Sequence, residues 1–340
     1  MRKIIVSRAA AGALAVLCRG NGSAARSRRP VSGSLLAAVV AVVLGLAGAA
    51  PAMANTAPSM TTNGSDVNIA VQGAHHSLLF FWAANGSPTW HKQTVAGTGT
   101  AFSAPSMIPD GKDVNIAVEG AHHRLLFFSA ASGSPTWHKQ TVAGTGTAFS
   151  PFSAPSMTSN GADVNIAAEG PNGSLVFFSG VPGSRTWTAE RVAGTGTTSS
   201  APSMTTNGAD VNIAAEGAGN SLVFYWAVSG SGTWHAEQVA GTATTSTAPS
   251  ITTDGNDVNI AAEGANGGLD FYWAVNGTPT WNPEQIAGTD TTGSAPSMTT
   301  IGNDVNIAAA GFNGSLDFYW AVNGNPTWNP EQIAPPGTVG

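Results

Sequence analysis

Residues 247–293 read TAPSITTDGNDVNIAAEGANGGLDFYWAVNGTPTWNPEQIAGTDTTG, and residues 294–340 repeat them so closely that 34 of the first 41 aligned positions are identical. The tripeptide Asp-Val-Asn begins at Asp66, Asp113, Asp163, Asp210, Asp257 and Asp304, and a Thr-Trp pair places tryptophan at 90, 137, 187, 234, 281 and 328. Both series advance by 47, 50, 47, 47 and 47, the one excess being three residues around Ser150-Pro151-Phe152. Six units thus fill residues 55–340, with bounds 55–102, 103–152, 153–199, 200–246, 247–293 and 294–340. A period of this length belongs to propellers and solenoids.

Within the quoted unit four strands are predicted. Ala248–Thr253 leads through the turn Asp254-Gly255-Asn256 into Asp257–Ala262, which alternates at period two. Ala265–Gly268 turns into Leu269–Val275, and Asn276–Pro279 opens a last strand from Trp281 to Ile286. Asn-Gly and Asp-Gly turns favour hairpins because their central residues tolerate positive φ. The third strand is apolar on both faces, with Leu222, Phe224 and Trp226 against Val223, Tyr225 and Ala227, as when a sheet has another sheet on each side. The second strand carries Ile-Ala-Ala or Ile-Ala-Val, small side chains that suit crowding near an axis. The expected fold is all-β, a six-bladed β-propeller of four-stranded antiparallel blades. Because the last unit is complete at Ala334, closure is expected by contact between whole blades rather than by Asn55–Met60 beside the last one.

Composition excludes several function classes. Seven of the 13 Lys+Arg (Arg2, Lys3, Arg8, Arg19, Arg26, Arg28, Arg29) precede residue 55, and all 19 Asp+Glu follow it, so residues 55–340 set six bases against 19 acids, a net charge of −13. Six scattered bases cannot form the stripe that phosphate binding needs, which excludes nucleic acid and argues against an anionic membrane surface. A chain 42% apolar and 9% charged, with 42 glycines, is turn-rich and globular, not a helical bundle or coiled coil.

Residues 35–48, LLAAVVAVVLGLAG, follow Arg26, Arg28 and Arg29 and precede Ala52-Met53-Ala54. That is the pattern of a bacterial-type signal peptide, residues 1–54, cleaved after Ala54. The apolar run is short for a span of roughly 20 residues, so the expected product is secreted and extracellular, without a lasting membrane span. Ser27-Arg28-Arg29 begins a twin-arginine pattern that Pro30 and Val31 do not complete, which leaves the export route open. Cys18, the only cysteine, lies in this leader, so the mature region is disulfide-free and has no thiol nucleophile.

The register Ser-Ala-Pro-Ser, Asp-Val-Asn-Ile-Ala, Gly-x-Asn-Gly-Ser-Leu-x-Phe-Tyr-Trp, Gly-x-x-Thr-Trp and a closing Val-Ala-Gly resembles the repeat of the Photorhabdus-type fucose-binding lectins and related bacterial β-propellers. The resemblance covers all six units and implies a secreted, non-enzymatic, multivalent sugar binder with sites between adjacent blades. That family often has a second Trp three residues after the Gly-Trp turn, where this chain has Gln93, Gln140, Glu190, Glu237, Glu284 and Glu331.

Two sets of tryptophans are candidate ligand residues. Trp90, Trp137, Trp187, Trp234, Trp281 and Trp328 recur in every unit, as blade packing would require or as platforms for the C–H face of a sugar would. Trp82, Trp226, Trp273 and Trp320 give way to Ser129 and Ser179 in two units, which marks them as the less obligatory for a core. Glu190, Glu237, Glu284 and Glu331 follow the recurrent Trp by three residues, so strand parity puts them on the opposite face. There they, like Asn282, Asn329, His91, His138 and His235, either line a solvated edge or recognise hydroxyls at a blade junction.

His75-His76 and His122-His123 occupy equivalent turns, but no metal site is expected, since Cys is absent beyond the leader and no H-E-x-x-H spacing occurs. The repeated Asp of Asp-Val-Asn is expected to cap its turn rather than to bind calcium, whose D-x-[DN]-x-[DN]-G loop is missing, and no cofactor motif is present. Catalysis is not expected either: glycosidases need one unique carboxylate pair, and Arg124, Arg185 and Arg191 occupy unrelated positions. The expected function is multivalent carbohydrate binding at blade junctions, neutral glycans before anionic ones. The alternatives are a protein-binding or envelope scaffold and a glycoside-active propeller enzyme. Homo-oligomerisation stays open.

Overall fold

The computed structural model describes residues 57–339 apart from Lys112, Ser132, residues 146–152, Pro182, Asn323, Gly324 and Pro326. The leader and the Ser150-Pro151-Phe152 insertion lie outside the described residues. Each unit folds into one four-stranded antiparallel sheet whose strands follow chain order, giving a six-bladed β-propeller. In blade four the strands are Ser203–Asn207, Asp210–Gly217, Ser221–Val228 and His235–Ala240. Their second hairpin turns through Gly219 and Asn220, with φ of 65° and 61°, the paired left-handed residues of a tight hairpin. In blades one and two the same places hold His75-His76 and His122-His123, at φ between 54° and 61°.

The innermost strand corrects one sequence expectation. The first strands, Ser59–Thr62, Ser106–Asp110, Ser156–Ser159, Ser203–Asn207, Ser250–Thr253 and Ser297–Ile301, are the ones that meet their successors from blade to blade. The Ala-rich second strand lies instead in mid-blade, where Ile213, Ala214 and Ala215 have no exposed surface because sheets cover both faces. The serine of Ala-Pro-Ser fastens the inner ring. Its Oγ accepts a hydrogen bond from the next blade's backbone: Met107 N to Ser59 (3.0 Å), Met157 N to Ser106 (3.0 Å), Met204 N to Ser156 (2.9 Å), Ile251 N to Ser203 (3.1 Å) and Met298 N to Ser250 (3.0 Å).

The two-faced third strand supplies the core. Phe224 packs with blade five, against Ile251, Val258, Ile260 and Tyr272, while Tyr225 packs with blade three, against Phe177 and Leu175. A β-bulge interrupts the pairing of third and fourth strands in every blade, between Leu222 and Val223 in blade four. The extra residue turns neighbouring side chains to one face, so Val239 and Ala240 both pack on the same core.

Five of the six junctions are packed in this way. At the sixth, Met60 of blade one is 48% exposed where its equivalents Met107 and Met157 are 5%. On blade six Ile301 is 47% exposed, and Leu316 and Phe318 are only half-buried where Leu269 and Phe271 are buried. Val67, Ile69 and Phe81 cluster with Trp90, Val71 and Leu79 of their own blade alone. Among the described residues no core cluster joins blade six to blade one. Each sheet is built from its own unit, as the phase of the repeats predicts, yet the closing contact is not packed like the other five.

Candidate functional site

The third and fourth strands of a blade bring Trp226 and Glu237 to the face that looks at blade five, with Glu237 paired across from Phe224 and His235 across from Trp226. Trp281, just before the fourth strand of blade five, looks back at them. Glu237 therefore lies between two indoles of different blades: Oε1 accepts from Trp226 Nε1 and Oε2 from Trp281 Nε1, each at 3.1 Å. At the next junction Glu284 does the same with Trp273 and Trp328, both at 2.9 Å. Glu190 accepts from Trp234 (2.8 Å), Gln140 from Trp187 (3.0 Å) and Glu331 from Trp320 (3.3 Å). Strand parity thus puts each Trp and the carboxylate three residues on toward different neighbours, and these carboxylates are junction residues rather than members of a solvated edge.

The recurrent Trp also cements blades. Five of the six sit edge-on to a phenylalanine of the preceding blade: Trp137 on Phe80, Trp187 on Phe127, Trp234 on Phe177, Trp281 on Phe224 and Trp328 on Phe271, with centroids 5.0–5.1 Å apart. All ten tryptophans are nonetheless only half-buried. His235 stacks on Trp226 at 4.2 Å and His91 on Trp82 at 5.1 Å, while Asn282 and Asn329 donate to the carbonyls of Trp273 and Trp320 (3.3 and 3.2 Å). Blades two and three carry Ser129 and Ser179 at the place of that Trp.

Small clefts of about 10–30 Å³ lie at three junctions where both indoles are present. Trp82, Gln93 and Trp137 line one between blades one and two, Trp226, Glu237 and Trp281 one between blades four and five, and Trp273, Glu284 and Trp328 one between blades five and six. Sequence reading missed their far wall, which is the next blade's turn, Asn276-Gly277-Thr278 in the pocket of Glu237, and it missed Asp210 at the same mouth. The turn has no distinctive residue; only the docking of two blades makes it a wall. Trp320 and Glu331 face the unpacked sixth junction, and Trp90 Nε1 on the other side of it has no hydrogen-bond partner.

A second carboxylate series, Glu119, Glu169, Glu216 and Glu263 at the ends of second strands, is buried. Burial raises the carboxyl of Glu216 above its ordinary value, partly offset by a hydrogen bond from Ser199, and burial also raises Asp270. All three tyrosines are raised: Tyr225 by burial, opposed by a hydrogen bond with Thr197; Tyr319 by burial and then the Asp317 charge; and Tyr272 by burial and then the Asp270 charge, up to about 12. These groups hold their protons more tightly when folded. Their contribution is complete below the unfolded value, 10.0 for Tyr272, and is lost as pH rises through the folded one. Ultraviolet titration of the native protein is therefore expected to show phenolate forming later than in the unfolded chain, with Tyr272 the last to ionise, near pH 12, and Tyr272→Phe to flatten the fall in Tm toward that pH. Phenolate at the normal midpoint in the folded protein would refute this.

His123 Nδ1 pairs with the buried Glu119 Oε1 at 2.7 Å, and His76 Nδ1 lies 3.0 Å from Gln72 Nε2, so both turn histidines fasten their own hairpins. Among the described residues no group of three His, Cys, Asp or Glu side chains is arranged to hold a metal ion, and no helix is long and apolar enough to cross a membrane.

A family model described as outer membrane protein assembly factor BamB matches residues 47–201, less than half of the chain. No curated protein matches. Among solved structures, the BP39L lectin from Burkholderia pseudomallei superposes with a TM-score of 0.75 at 16% identity, covering 82% of this chain and 84% of that one. AofleA from Arthrobotrys oligospora gives 0.56 at 15% identity, with 83% and 87% covered. The fungal lectin from Aleuria aurantia, described as a six-bladed β-propeller, gives 0.53 at 13% identity, with 83% and 95% covered. At these identities the chain shares with all three the propeller fold.

Proposed function

We propose that residues 55–340 form a secreted, multivalent carbohydrate-binding propeller with sites at the blade junctions. The observation that carries this reading is the hydrogen-bonded Trp–Glu–Trp arrangement, two half-buried indoles of adjacent blades around one carboxylate in a pocket. An aromatic face suits the C–H side of a sugar, and the carboxylate accepts from hydroxyls. Repetition around one disc turns weak single-site binding into avidity. The structural relatives named as lectins, among them SapL1 in complex with α-methyl fucoside, support the reading. We assign it no catalytic step and no cofactor.

A glycan array tests it. The protein is expected to bind a small set of neutral glycans, and Trp226→Ala together with Trp273→Ala to remove most of the signal. A blank array, or binding unchanged in the double variant, refutes the junction sites. The second reading, a protein-binding envelope scaffold, draws on the match of residues 47–201 to the assembly-factor family and predicts that blank array.

A further inference from the structure

The junction pockets are lined from the same positions of the repeat and differ in charge. Between blades one and two the side chain beside the two indoles is the neutral Gln93, and no charged residue lines the pocket. Between blades four and five it is Glu237, joined at the mouth by Asp210, and between blades five and six it is Glu284. The surroundings deepen the contrast. From residue 192 to the end the chain has 12 Asp+Glu and not one Lys or Arg, whereas residues 55–191 hold all six bases and only seven acids. The carboxylates of blades four to six thus have no Lys or Arg of their own half to neutralise them, His235 on Trp226 being the one histidine there, and the field they share concentrates cations at that part of the disc.

Two indole N–H edges hold each carboxylate in place at the junction, and the charge and remaining lone pairs of that carboxylate offer an ammonium group a charge-assisted hydrogen bond stronger than the one a neutral hydroxyl would make. We propose that the Glu237 and Glu284 pockets take ligands bearing a protonated amine, amino sugars being the class, while the Gln93 pocket takes the uncharged ring. This rests on the reading of the junctions as sugar sites and adds that one disc carries two specificities.

The chain itself shows that glutamine is tolerated in this position. Gln140 Oε1 accepts the Trp187 indole N–H at 3.0 Å just as Glu190 accepts that of Trp234. Glu237→Gln with Glu284→Gln removes the charge and keeps one of the two indole hydrogen bonds, because an amide has one acceptor oxygen where the carboxylate has two; the Gln93 pocket already has this form, with Trp137 Nε1 left without a partner. The experiment follows the indole N–H resonances of the full protein during titration with glucosamine and with glucose, at mildly acidic pH, at low and high salt. Glucosamine is expected to shift Trp226, Trp281, Trp273 and Trp328 with an affinity at least about tenfold above that of glucose, to weaken with salt, and to lose that advantage in the double variant. Trp82 and Trp137 are expected to respond equally to both sugars. Shifts without preference for the amine, or a preference that survives both substitutions, overturn the proposal while leaving the junctions as sugar sites. No shift with either sugar, alongside a blank array, overturns the underlying reading as well.

Discussion

Replacing Phe224 by Ala is expected to cost about 3–5 kcal/mol of stability, whereas the same replacement of Phe318, its equivalent two blades on, is expected to cost only about 1 kcal/mol. Phe224 is buried in the core between blades four and five, where it meets Trp281 edge-on at 5.1 Å. Its loss leaves a cavity lined by side chains fixed on two sheets, which cannot collapse independently. Phe318 occupies the same place in its own blade but looks into the unpacked junction, half-buried, and among the described residues no ring contact joins it to Trp90. Chemical denaturation of the two variants beside the parent protein decides the matter. Equal losses would mean that blades six and one meet in solution like the other pairs.

Appending a further copy of residues 294–340 is expected to raise Tm by about 5–10 °C. A four-stranded unit placed at the open junction offers its Ala-Pro-Ser serine to the backbone N–H of Met60 and a glutamate to the Nε1 of Trp90. It also accepts the Ser297 side of blade six through its own first strand. Met60, Ile301, Leu316 and Phe318 would then be covered as their equivalents are. Burying several such side chains is worth a few kcal/mol, each about 2–4 °C for a domain of this size. An added unit that unfolds separately, leaving the main transition unmoved, would show that the six blades already close on one another.

The blade count and the meander were legible because the repeat fixes the period and Asn-Gly turns mark the hairpins. The two-faced third strand was legible too: only a sheet covered on both sides can use Phe224, Tyr225 and Trp226 in succession. The opposition of Trp281 and Glu284 follows from parity, but their partners do not, since Glu237 and Trp281 are 44 residues apart and meet only when blades dock. The small residues of the second strand misled about the axis, because sandwiching between sheets demands small side chains in mid-blade as well. The buried Glu216 and Glu263 gave no signal in the sequence, where a carboxylate next to a glycine turn reads as solvated.

The serine fastening of the inner ring has a consequence for how such a chain can grow. Ser203 holds blade five by a backbone N–H, a group every residue but proline offers, so the joint makes no demand on the side chain it meets. Met107, Met157, Met204, Ile251 and Met298 all serve. A newly duplicated unit would find a ready dock wherever it was inserted, before any residue in it had changed. The near-identity of the last two units is what lengthening by whole copies leaves behind when the connector works without prior adaptation.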